Sequence, residues 1–479
     1  MPESAQMVTP AQRKWLPWLT AVGFFMQTLD GTILNTALPN MAETLGESPL
    51  QMQSVVIAYM LTVALLIPAS GWLADRFGTR RIYLAAILLF TLGSLACAAA
   101  NTLPMLVAAR VLQGVGGALL MPIGRLAVLR VYSKHELLRV MSFVTIPGLV
   151  GPLIGPALGG WLVEVASWHW VFLINLPVGI LGFIASWYFM PDLRQGTATF
   201  DWQGFVMFSA GMVLVSVGLQ GLGEHSISTG WALFALLFGL AAMASYWLYA
   251  ANAEEPLFSL ALFKTSTFAI GIWGNLFARL GSGAMPFLTP LFLQLGLGFS
   301  PSKAGMTMIP TALGAMLTKT LVNRLIPRIG YRRILIGNTL ALGAMIASFS
   351  LIDNQVPYGV LLGWLAVFGA INSLQFSAMN TLTLQDLSAE HASSGNGLLS
   401  VVMQLSMSLG VAIAASLLGL FSAGLPAQDS ERWLGGFHLT YLCIGLMSML
   451  AALIFAQLAR KESREYKPGV DVRPGRAGS

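Results

Sequence analysis

Charged residues are scarce in this chain. Asp, Glu, Lys and Arg make up 10% of its 479 residues, whereas about 25% is usual for soluble globular domains. Hydrophobic residues reach 56%, and the mean hydropathy is +0.72. These values exclude a soluble globular protein and indicate an integral membrane protein, because so little charge cannot keep a large apolar chain in water.

Cysteine is also rare, and reactive side chains are not grouped. Cys97 and Cys443 both fall inside apolar runs, which supports neither a disulfide framework nor a zinc site. The runs hold no cluster of acid, base and nucleophile and no metal-ligand spacing, so we expect no enzyme activity, no cofactor and no metal. A cleavable signal peptide is not visible, because the first run is long, contains Asp30 and lacks a small-residue cleavage site.

What the chain does contain is a series of long apolar runs. A run of about 20 residues is enough to cross the hydrocarbon core of a bilayer as a helix. Fourteen such runs lie near residues 15–39, 50–72, 82–100, 103–131, 137–163, 168–190, 202–222, 231–250, 267–294, 302–321, 333–352, 356–385, 394–422 and 434–457. The sequence therefore predicts an all-α membrane protein with fourteen transmembrane helices.

The basic residues are distributed unevenly between the two ends of these runs. If the N-terminus is cytoplasmic, 20 of the 26 Lys and Arg residues fall in cytoplasmic segments, and two, Lys303 and Arg432, fall outside. Short cytoplasmic loops of membrane proteins carry an excess of Lys and Arg, so we predict a multi-pass protein of the cell (inner) membrane with both termini in the cytoplasm. The net charge of +6 then reflects membrane sidedness, and no nucleic-acid partner is expected.

The two halves of the chain repeat each other weakly. A shift of 252 residues places Gly330 on Gly78 and Arg332 on Arg80. Such duplication is common among transporters built from two bundles of helices. The predicted organisation is a cytoplasmic N-terminus at 1–14, an N-terminal six-helix bundle at 15–190, a linker with two extra spans at 191–265, a C-terminal six-helix bundle at 266–458 and a disordered cytoplasmic tail at 459–479.

A charge-dense turn interrupts the apolar pattern between the second and third runs. It reads Gly71-Trp-Leu-Ala-Asp-Arg-Phe-Gly-Thr-Arg-Arg81 and combines Gly71, Asp75, Arg76, Gly78, Arg80 and Arg81. The spacing resembles the loop between spans 2 and 3 of transporters of the major facilitator superfamily. This resemblance implies a conformational gate that latches the cytoplasmic face in the outward-open state. The glycines allow close helix approach and chain reversal, and the charges stay in water.

The fifth run is rich in glycine and proline. It reads Pro147-Gly-Leu-Val-Gly-Pro-Leu-Ile-Gly-Pro-Ala-Leu-Gly-Gly160 and includes Gly148, Gly151, Pro152, Gly155, Pro156, Gly159 and Gly160. Proline kinks a helix, and glycine gives a flat face on which another helix can pack or slide. The pattern is similar to the antiporter motif of exporters in the same superfamily. A merely close-packed span is the alternative.

Two buried charges of opposite sign are predicted in the N-terminal bundle. At 1.5 Å per residue, Asp30 lies about 22 Å from the cytoplasmic end of span 1, and Arg110 about 10 Å from the outer end of span 4, which is a similar depth. Burying either charge alone costs about 3 kcal/mol, so we expect a pair or a water-filled cavity.

The residues around these two charges carry a further resemblance. The segments Leu29-Asp-Gly-Thr-Ile-Leu-Asn-Thr-Ala-Leu-Pro39 and Arg110-Val-Leu-Gln-Gly-Val-Gly-Gly-Ala118 are similar to motifs of the fourteen-span drug:proton antiporters. The resemblance implies that Asp30 and Arg110 couple transport to protons. A static ion pair that locks spans 1 and 4 together is the alternative.

A third deep charge, Arg279, lies about 20 Å into span 9 and has no acidic counterpart in its own half of the chain. It favours an anionic or zwitterionic substrate, unless it is structural and hydrogen-bonded to helix carbonyls. We predict that the substrate cavity is lined by Asn35, Gln113, Asn275, Arg279, Gln375 and Gln404. For any one of the amides, interhelical hydrogen bonding is the alternative.

The resemblance covers residues 15–458. It implies a proton-coupled antiporter that exports small molecules, such as drugs or toxic compounds, by alternating access and draws its energy from the proton gradient. The alternatives are a proton-coupled exporter of an organic anion or metal chelate and, more remotely, a non-transporting membrane sensor. The expected partners are a small-molecule substrate, protons and the lipid bilayer, and the sequence does not indicate an oligomeric state.

Overall fold

Long helices separated by short turns make up the computed structural model of the protein, which describes residues 8–194, 199–224, 228–388, 392–422 and 430–458. The first half contains α1 (Pro10–Ile33), α2 (Leu38–Leu45), α3 (Gln53–Phe77), α4 (Thr79–Ala98), α5 (Leu103–Val131), α6 (Lys134–Val165), α7 (Trp170–Leu173) and α8 (Asn175–Phe189). Two helices follow, α9 (Trp202–Glu224) and α10 (Thr229–Ala250). The second half contains α11 (Ser266–Leu291), α12 (Pro301–Thr307), α13 (Ile309–Ile329), α14 (Tyr331–Ser348), α15 (Tyr358–Gln385), α16 (Ala392–Phe421), α17 (Ser430–Leu450) and α18 (Ala452–Phe455). No strand occurs in the described ranges, and the predicted all-α fold is confirmed.

Twelve helices of the described ranges are long and apolar enough to cross a membrane, and they include both extra spans, α9 and α10. The first and tenth predicted spans correspond to α1 and α13, which are not among these twelve. Arg13, Lys14 and Asp30 lower the mean hydropathy of α1. The chain is therefore a multi-pass membrane protein, and the count of fourteen spans stays a prediction.

The helices of the two halves pack in the same pairs. In the first half α1 packs along α6, α3 along α5 and α4 along α8; in the second half α11 packs along α16, α13 along α15 and α14 along α17. The turns that precede α4 and α14 also match, since Gly78 and Gly330 have φ of 92° and 85°, which favours glycine. The weak sequence repeat corresponds to a repeated arrangement of helices.

The two extra helices form a hairpin beside the seam between α3 and α16. α9 packs along α10 and also against α16. Phe208 of α9 belongs to one apolar cluster with Ala64 of α3 and Leu398 of α16. The hairpin therefore contacts both halves of the molecule.

The two ends of the molecule differ in how the halves meet. We call the end that carries Gly78 and Gly330 the basic end, and the opposite end the far end. Toward the far end one apolar core is shared by both halves and includes Ile33 of α1 and Leu288 of α11.

Hydrogen bonds between the halves also lie at the far end. Nε2 of Gln294 donates to the carbonyl oxygen of Thr36 at 3.0 Å, and the backbone N–H of Ser302 donates to Oε1 of Glu164 at 3.0 Å. Toward the basic end each half has an apolar core of its own, one entirely from the first half and one entirely from the second. The apolar cluster around α9 also connects the halves, along the seam between α3 and α16. The halves are thus joined by a shared core at the far end and by contacts along this seam.

Candidate functional site

An ion pair lies inside the first half of the molecule. Asp30 of α1 and Arg110 of α5 approach to 2.7 Å between Oδ2 and Nη1, and neither side chain is more than 2% exposed. The two helices pack against each other, so the pair is held from both sides. The structure therefore brings the two predicted proton-coupling residues into direct contact.

Two amides complete the hydrogen bonds of the Asp30 carboxylate. Nε2 of Gln113 donates to its Oδ1 at 2.7 Å, and Nδ2 of Asn175 donates to the same oxygen at 3.0 Å. Both nitrogens also donate to Oγ of Ser94, at 2.7 and 3.1 Å. Three donors thus surround a carboxylate that is only 1% exposed, which is what a buried anion requires.

Asn175 and Ser94 belong to this cluster, and the sequence did not predict them as site residues. Asn175 opens α8 and Ser94 lies on α4, so the cluster joins four helices of the first half. The available signal was the position of Asn175 within an apolar run, where a polar side chain requires a partner. The predicted cavity residue Gln113 belongs to this cluster.

Arg110 has further contacts that fix its position. Its Nη1 also donates to Oε1 of Gln113 at 2.6 Å, and its Nε donates to the carbonyl oxygen of Val55 at 3.3 Å. The guanidinium lies over the ring of Tyr59, 4.2 Å from its centroid. These contacts offset part of the cost of removing the charge from water.

Arg279 lies in the second half and has neutral partners. Its Nε donates to Oδ1 of Asn275 at 2.9 Å, and its Nη2 donates to Oδ1 of Asn380 at 3.1 Å. The guanidinium stacks over Phe376 at 3.6 Å from the ring centroid. It is 3% exposed, and none of the ion pairs in the described part of the chain includes it.

The other predicted cavity amides have separate environments. Asn35, just after α1, donates to the carbonyl oxygen of Gly31 in the last turn of that helix at 3.3 Å. Nε2 of Gln375 donates to Thr339 at 2.7 Å, between α14 and α15. Gln404 lies half-buried on α16. Hydrogen bonding between helices therefore occupies Gln375.

The charged turn is bound to its own half in this conformation. Asp75 forms an ion pair with Arg130 at the end of α5. Arg80 donates to the carbonyl oxygen of Trp187 and lies over its ring at 5.7 Å from the centroid. The predicted gate thus ties α3 to α5 and α4 to α8 at the basic end.

The remaining residues of the turn make fewer contacts. Arg76 lies over the ring of Trp72 at 5.5 Å from the centroid, and Arg81 is exposed. The sequence reasoning expected Gly71 to allow a close helix approach, but a Cβ placed there would meet no atom within 4 Å. Gly78 is different, since its positive φ and close surroundings both require glycine.

The glycine face of α6 packs directly on α1. A Cβ placed at Gly148, Gly151, Gly155 or Gly159 would lie 2.1 to 2.5 Å from an atom of α1. Pro152 and Pro156 lie inside the same helix. Two threonines donate to the backbone of α6: Thr32 of α1 to Gly151 at 3.3 Å, and Thr36, just after α1, to Pro156 at 3.1 Å.

The far end of α6 contacts the second half of the molecule. A Cβ at Gly160 would lie 2.1 Å from the carbonyl oxygen of Pro301, and a Cβ at Gly305 would lie 2.1 Å from that of Pro156. Backbone therefore meets backbone where the two halves join. Among the described residues no group of three or more His, Cys, Asp or Glu side chains could hold a metal ion.

Comparison with known proteins gives one consistent picture. The family model for the Major Facilitator Superfamily matches residues 20–411 and 281–476. The chain is 52% identical over 453 residues to "Putative multidrug resistance protein MdtD" of Pectobacterium atrosepticum, covering 94% of this chain and 96% of the relative. It is 52% identical over 449 residues to the protein of the same name from Cronobacter sakazakii, covering 94% and 95%.

Solved structures with the same fold have distant sequences. A POT family transporter in complex with 5-aminolevulinic acid aligns with a TM-score of 0.69 at 15% identity, covering 92% of this chain and 95% of that one. A bacterial homologue of the human lysosomal transporter Spinster aligns with a TM-score of 0.67 at 15% identity, covering 94% and 97%. These two similarities concern the fold alone.

Proposed function

The chain belongs to the major facilitator superfamily of transporters, and we propose that this protein exports small molecules in exchange for protons by alternating access. The observation that carries the proposal is the buried ion pair between Asp30 and Arg110. A carboxylate held beside a cation inside a helical bundle can take up and release a proton as its surroundings change. The energy then comes from the proton gradient and no cofactor is needed.

The proposed topology follows from the basic residues. The basic end faces the cytoplasm of a cell whose inner membrane holds the protein, and both termini lie on that side. The fourteen predicted spans then divide into bundles at 15–190 and 266–458, with two extra spans within 191–265. The shared core at the far end and the two separate cores toward the basic end support a conformation that is open to the cytoplasm, apart from the contacts along the seam between α3 and α16.

Proton movement would be opposite to substrate movement. In this conformation Asp30 accepts hydrogen bonds from Arg110, Gln113 and Asn175. Protons would bind to Asp30 from outside and leave it toward the cytoplasm as the transporter changes conformation. The turn around Asp75 then serves as the gate that changes partners when the basic end closes, and the glycine face of α6 is the surface that slides against α1.

The proposed substrates are drugs or other toxic compounds, which agrees with the name of the multidrug resistance proteins to which the chain is 52% identical. A second candidate is the export of an organic anion or metal chelate. Arg279 favours it, because its buried guanidinium contacts two amide oxygens and an aromatic ring and forms no ion pair with a described residue. A substrate carboxylate would supply the missing counter-charge.

Transport by purified protein in proteoliposomes tests the proposal. With an imposed pH gradient, the wild-type protein should move a fluorescent lipophilic cation against its concentration gradient, and Asp30→Asn should not, because an amide cannot carry a proton. Asp353→Asn changes an acid in the turn after α14 and should transport like the wild-type protein. A non-transporting sensor would give no gradient-driven movement in any of the three.

The stability of the variant has to be measured on the same preparation. Removing one partner of a buried ion pair costs about 3–5 kcal/mol, so Asp30→Asn alone could reduce the yield of folded protein. A double variant with Asp30→Asn and Arg110→Gln removes both charges and avoids the uncompensated cation. Gradient-driven transport by well-folded Asp30→Asn protein would refute the coupling role.

A further inference from the structure

The hydrogen bonds around Asp30 distinguish its two neighbouring amides. An arginine side chain can only donate hydrogen bonds. Nη1 of Arg110 lies 2.6 Å from Oε1 of Gln113, so that atom has to be the amide oxygen. The nitrogen of Gln113 therefore always faces Asp30 and Ser94. Gln113 is fixed in one orientation and can only donate to Asp30.

Asn175 is not fixed in this way. Its Nδ2 donates to Oδ1 of Asp30 at 3.0 Å and to Oγ of Ser94 at 3.1 Å. Both neighbours can change roles, because a carboxyl group donates once it is protonated and a hydroxyl group can donate or accept. Among the described residues, no hydrogen bond reaches the Oδ1 atom of Asn175. Turning its amide over would therefore break no hydrogen bond of Oδ1, and it would move Nδ2 away from Asp30 and Ser94 into the place of Oδ1.

We propose that Asn175 is a positioning residue whose amide turns over when Asp30 gains or loses its proton, so that the buried site accommodates both forms. The inference rests on the proposed proton coupling by Asp30. In the unprotonated form Nδ2 of Asn175 donates to the carboxylate, as in the structure. In the protonated form Oδ1 of Asn175 takes the same place and accepts the hydrogen bond from the new hydroxyl group of Asp30.

The hydrogen bonds of Asp30 and Ser94 are made again after this change, while Nδ2 of Asn175 moves to the place of Oδ1, which makes no hydrogen bond to a described residue in the structure. The proton enters from water and adds to Oδ1 of Asp30, and no other covalent bond forms or breaks. Ser94 rotates its hydroxyl hydrogen toward Oδ1 of Asn175 and still accepts from Gln113. Oδ2 of Asp30 still accepts from Arg110. The amide nitrogen and oxygen are nearly equal in size, so the heavy atoms keep their positions.

Other titratable groups near Asp30 do not offer the same acceptor. Arg110 has no acceptor atom. Tyr59 presents its ring to Arg110, at 4.2 Å from the centroid. Cys97 directs its thiol to Oε1 of Gln113 at 3.7 Å. Within the described cluster, Asn175 is therefore the neighbour that can accept a hydrogen bond from the hydroxyl group of protonated Asp30 while its own side-chain heavy atoms keep their places.

Two nearly isosteric variants test the inference. Threonine can donate or accept by rotating its hydroxyl, whereas valine has the same shape and can do neither. Asn175→Thr should retain most of the gradient-driven transport. Asn175→Val should lose about 5- to 150-fold, because a buried hydroxyl of protonated Asp30 is left without an acceptor. The pH midpoint of proton uptake should stay near the wild-type value in Asn175→Thr and be displaced in Asn175→Val.

Infrared difference spectroscopy observes the turning amide directly. Acidification should produce a carboxylic C=O band that is absent in Asp30→Asn. Protein labelled with ¹³C-asparagine should show an amide band that changes with it and is missing in Asn175→Thr. If Asn175→Val does not fold, the pair Asn175→Ser and Asn175→Ala makes the same comparison.

The outcomes separate the inference from its premise. Gradient-driven transport in Asn175→Val equal to that in Asn175→Thr would overturn the role of Asn175. An asparagine band that stays constant while Asp30 is protonated would overturn it as well. Both results leave the coupling by Asp30 in place. Gradient-driven transport by Asp30→Asn would instead remove the premise, and the inference with it.

Discussion

The close contact between Gly160 and Pro301 provides a direct test of the equilibrium between the conformations of the transporter. A methyl group at Gly160 would lie 2.1 Å from the carbonyl oxygen of Pro301, so the halves would have to separate by more than an ångström to admit it. The two residues are in contact in the conformation described here, in which the halves are joined at the far end. Gly160→Ala should therefore destabilise the conformation described here and favour the one that is open to the outside.

The expected shift is large enough to measure. Overpacking a close contact typically costs about 1–3 kcal/mol, which corresponds to an equilibrium constant changed about 5- to 150-fold. Gly305→Ala should act in the same direction, because its methyl group would lie 2.1 Å from the carbonyl oxygen of Pro156. Gly182→Ala is a matched control on α8, where an added Cβ meets no atom within 4 Å.

Thiol labelling from the outside reports the opening. Gln294 lies at the contact between the halves, hydrogen-bonded to Thr36, and Gln294→Cys can be combined with each glycine variant. Cys443 is replaced by Ser in this background, and Cys97 is fully buried. A membrane-impermeant maleimide should label Gln294→Cys faster with Gly160→Ala than with Gly182→Ala. Equal labelling rates in folded, transport-competent proteins would refute the far-end closure.

Two further predictions concern the gate and the cation of the second half. Asp75→Asn removes the ion pair with Arg130 at the basic end, so turnover should slow several-fold while substrate affinity stays nearly unchanged; a large loss of affinity at normal turnover would contradict this. If Arg279 binds an anionic substrate, Arg279→Lys should weaken transport because the two-pronged geometry of the guanidinium is lost, and Arg279→Ala should abolish competition by organic anions. Unaltered anion competition in folded Arg279→Ala protein would instead assign Arg279 a structural role. A structural role would lower the thermal stability of the variant in detergent.

Much of the fold could be predicted from the sequence because the membrane imposes simple rules on it. Each span has to be long and apolar, and each buried charge has to find a partner. These rules predicted helices throughout the chain and placed Asp30 and Arg110 at a similar depth. The turn at Gly78 could be predicted too, since a charge-dense segment with glycine cannot continue a membrane helix.

The partners of these residues could not be predicted in the same way. Asn175 is one of several amides in the spans, and its contact with Asp30 depends on the rotation of α8 about its own axis. The backbone contact between Gly160 and Pro301 depends on the conformational state. The same sequence adopts every state of the transporter, so the sequence alone does not specify this contact. Gly71 is an error of the other kind, a contact that was predicted and is not observed. A glycine that belongs to a motif does not have to pack against another helix in every conformation.

Stability alone does not account for the cluster around Asp30. Replacing a buried ion pair by apolar side chains of similar volume is often neutral or stabilising by about 1–4 kcal/mol. Apolar residues at Asp30 and Arg110 would therefore hold α1 and α5 together at least as well. The cluster instead keeps a carboxyl group away from water, with Gln113 fixed by Arg110 and, as we propose, with an Asn175 amide that can turn. A static lock requires neither of these features, whereas a site that has to stabilise one carboxyl group in two protonation states requires both a permanent donor and a neighbour that can exchange roles.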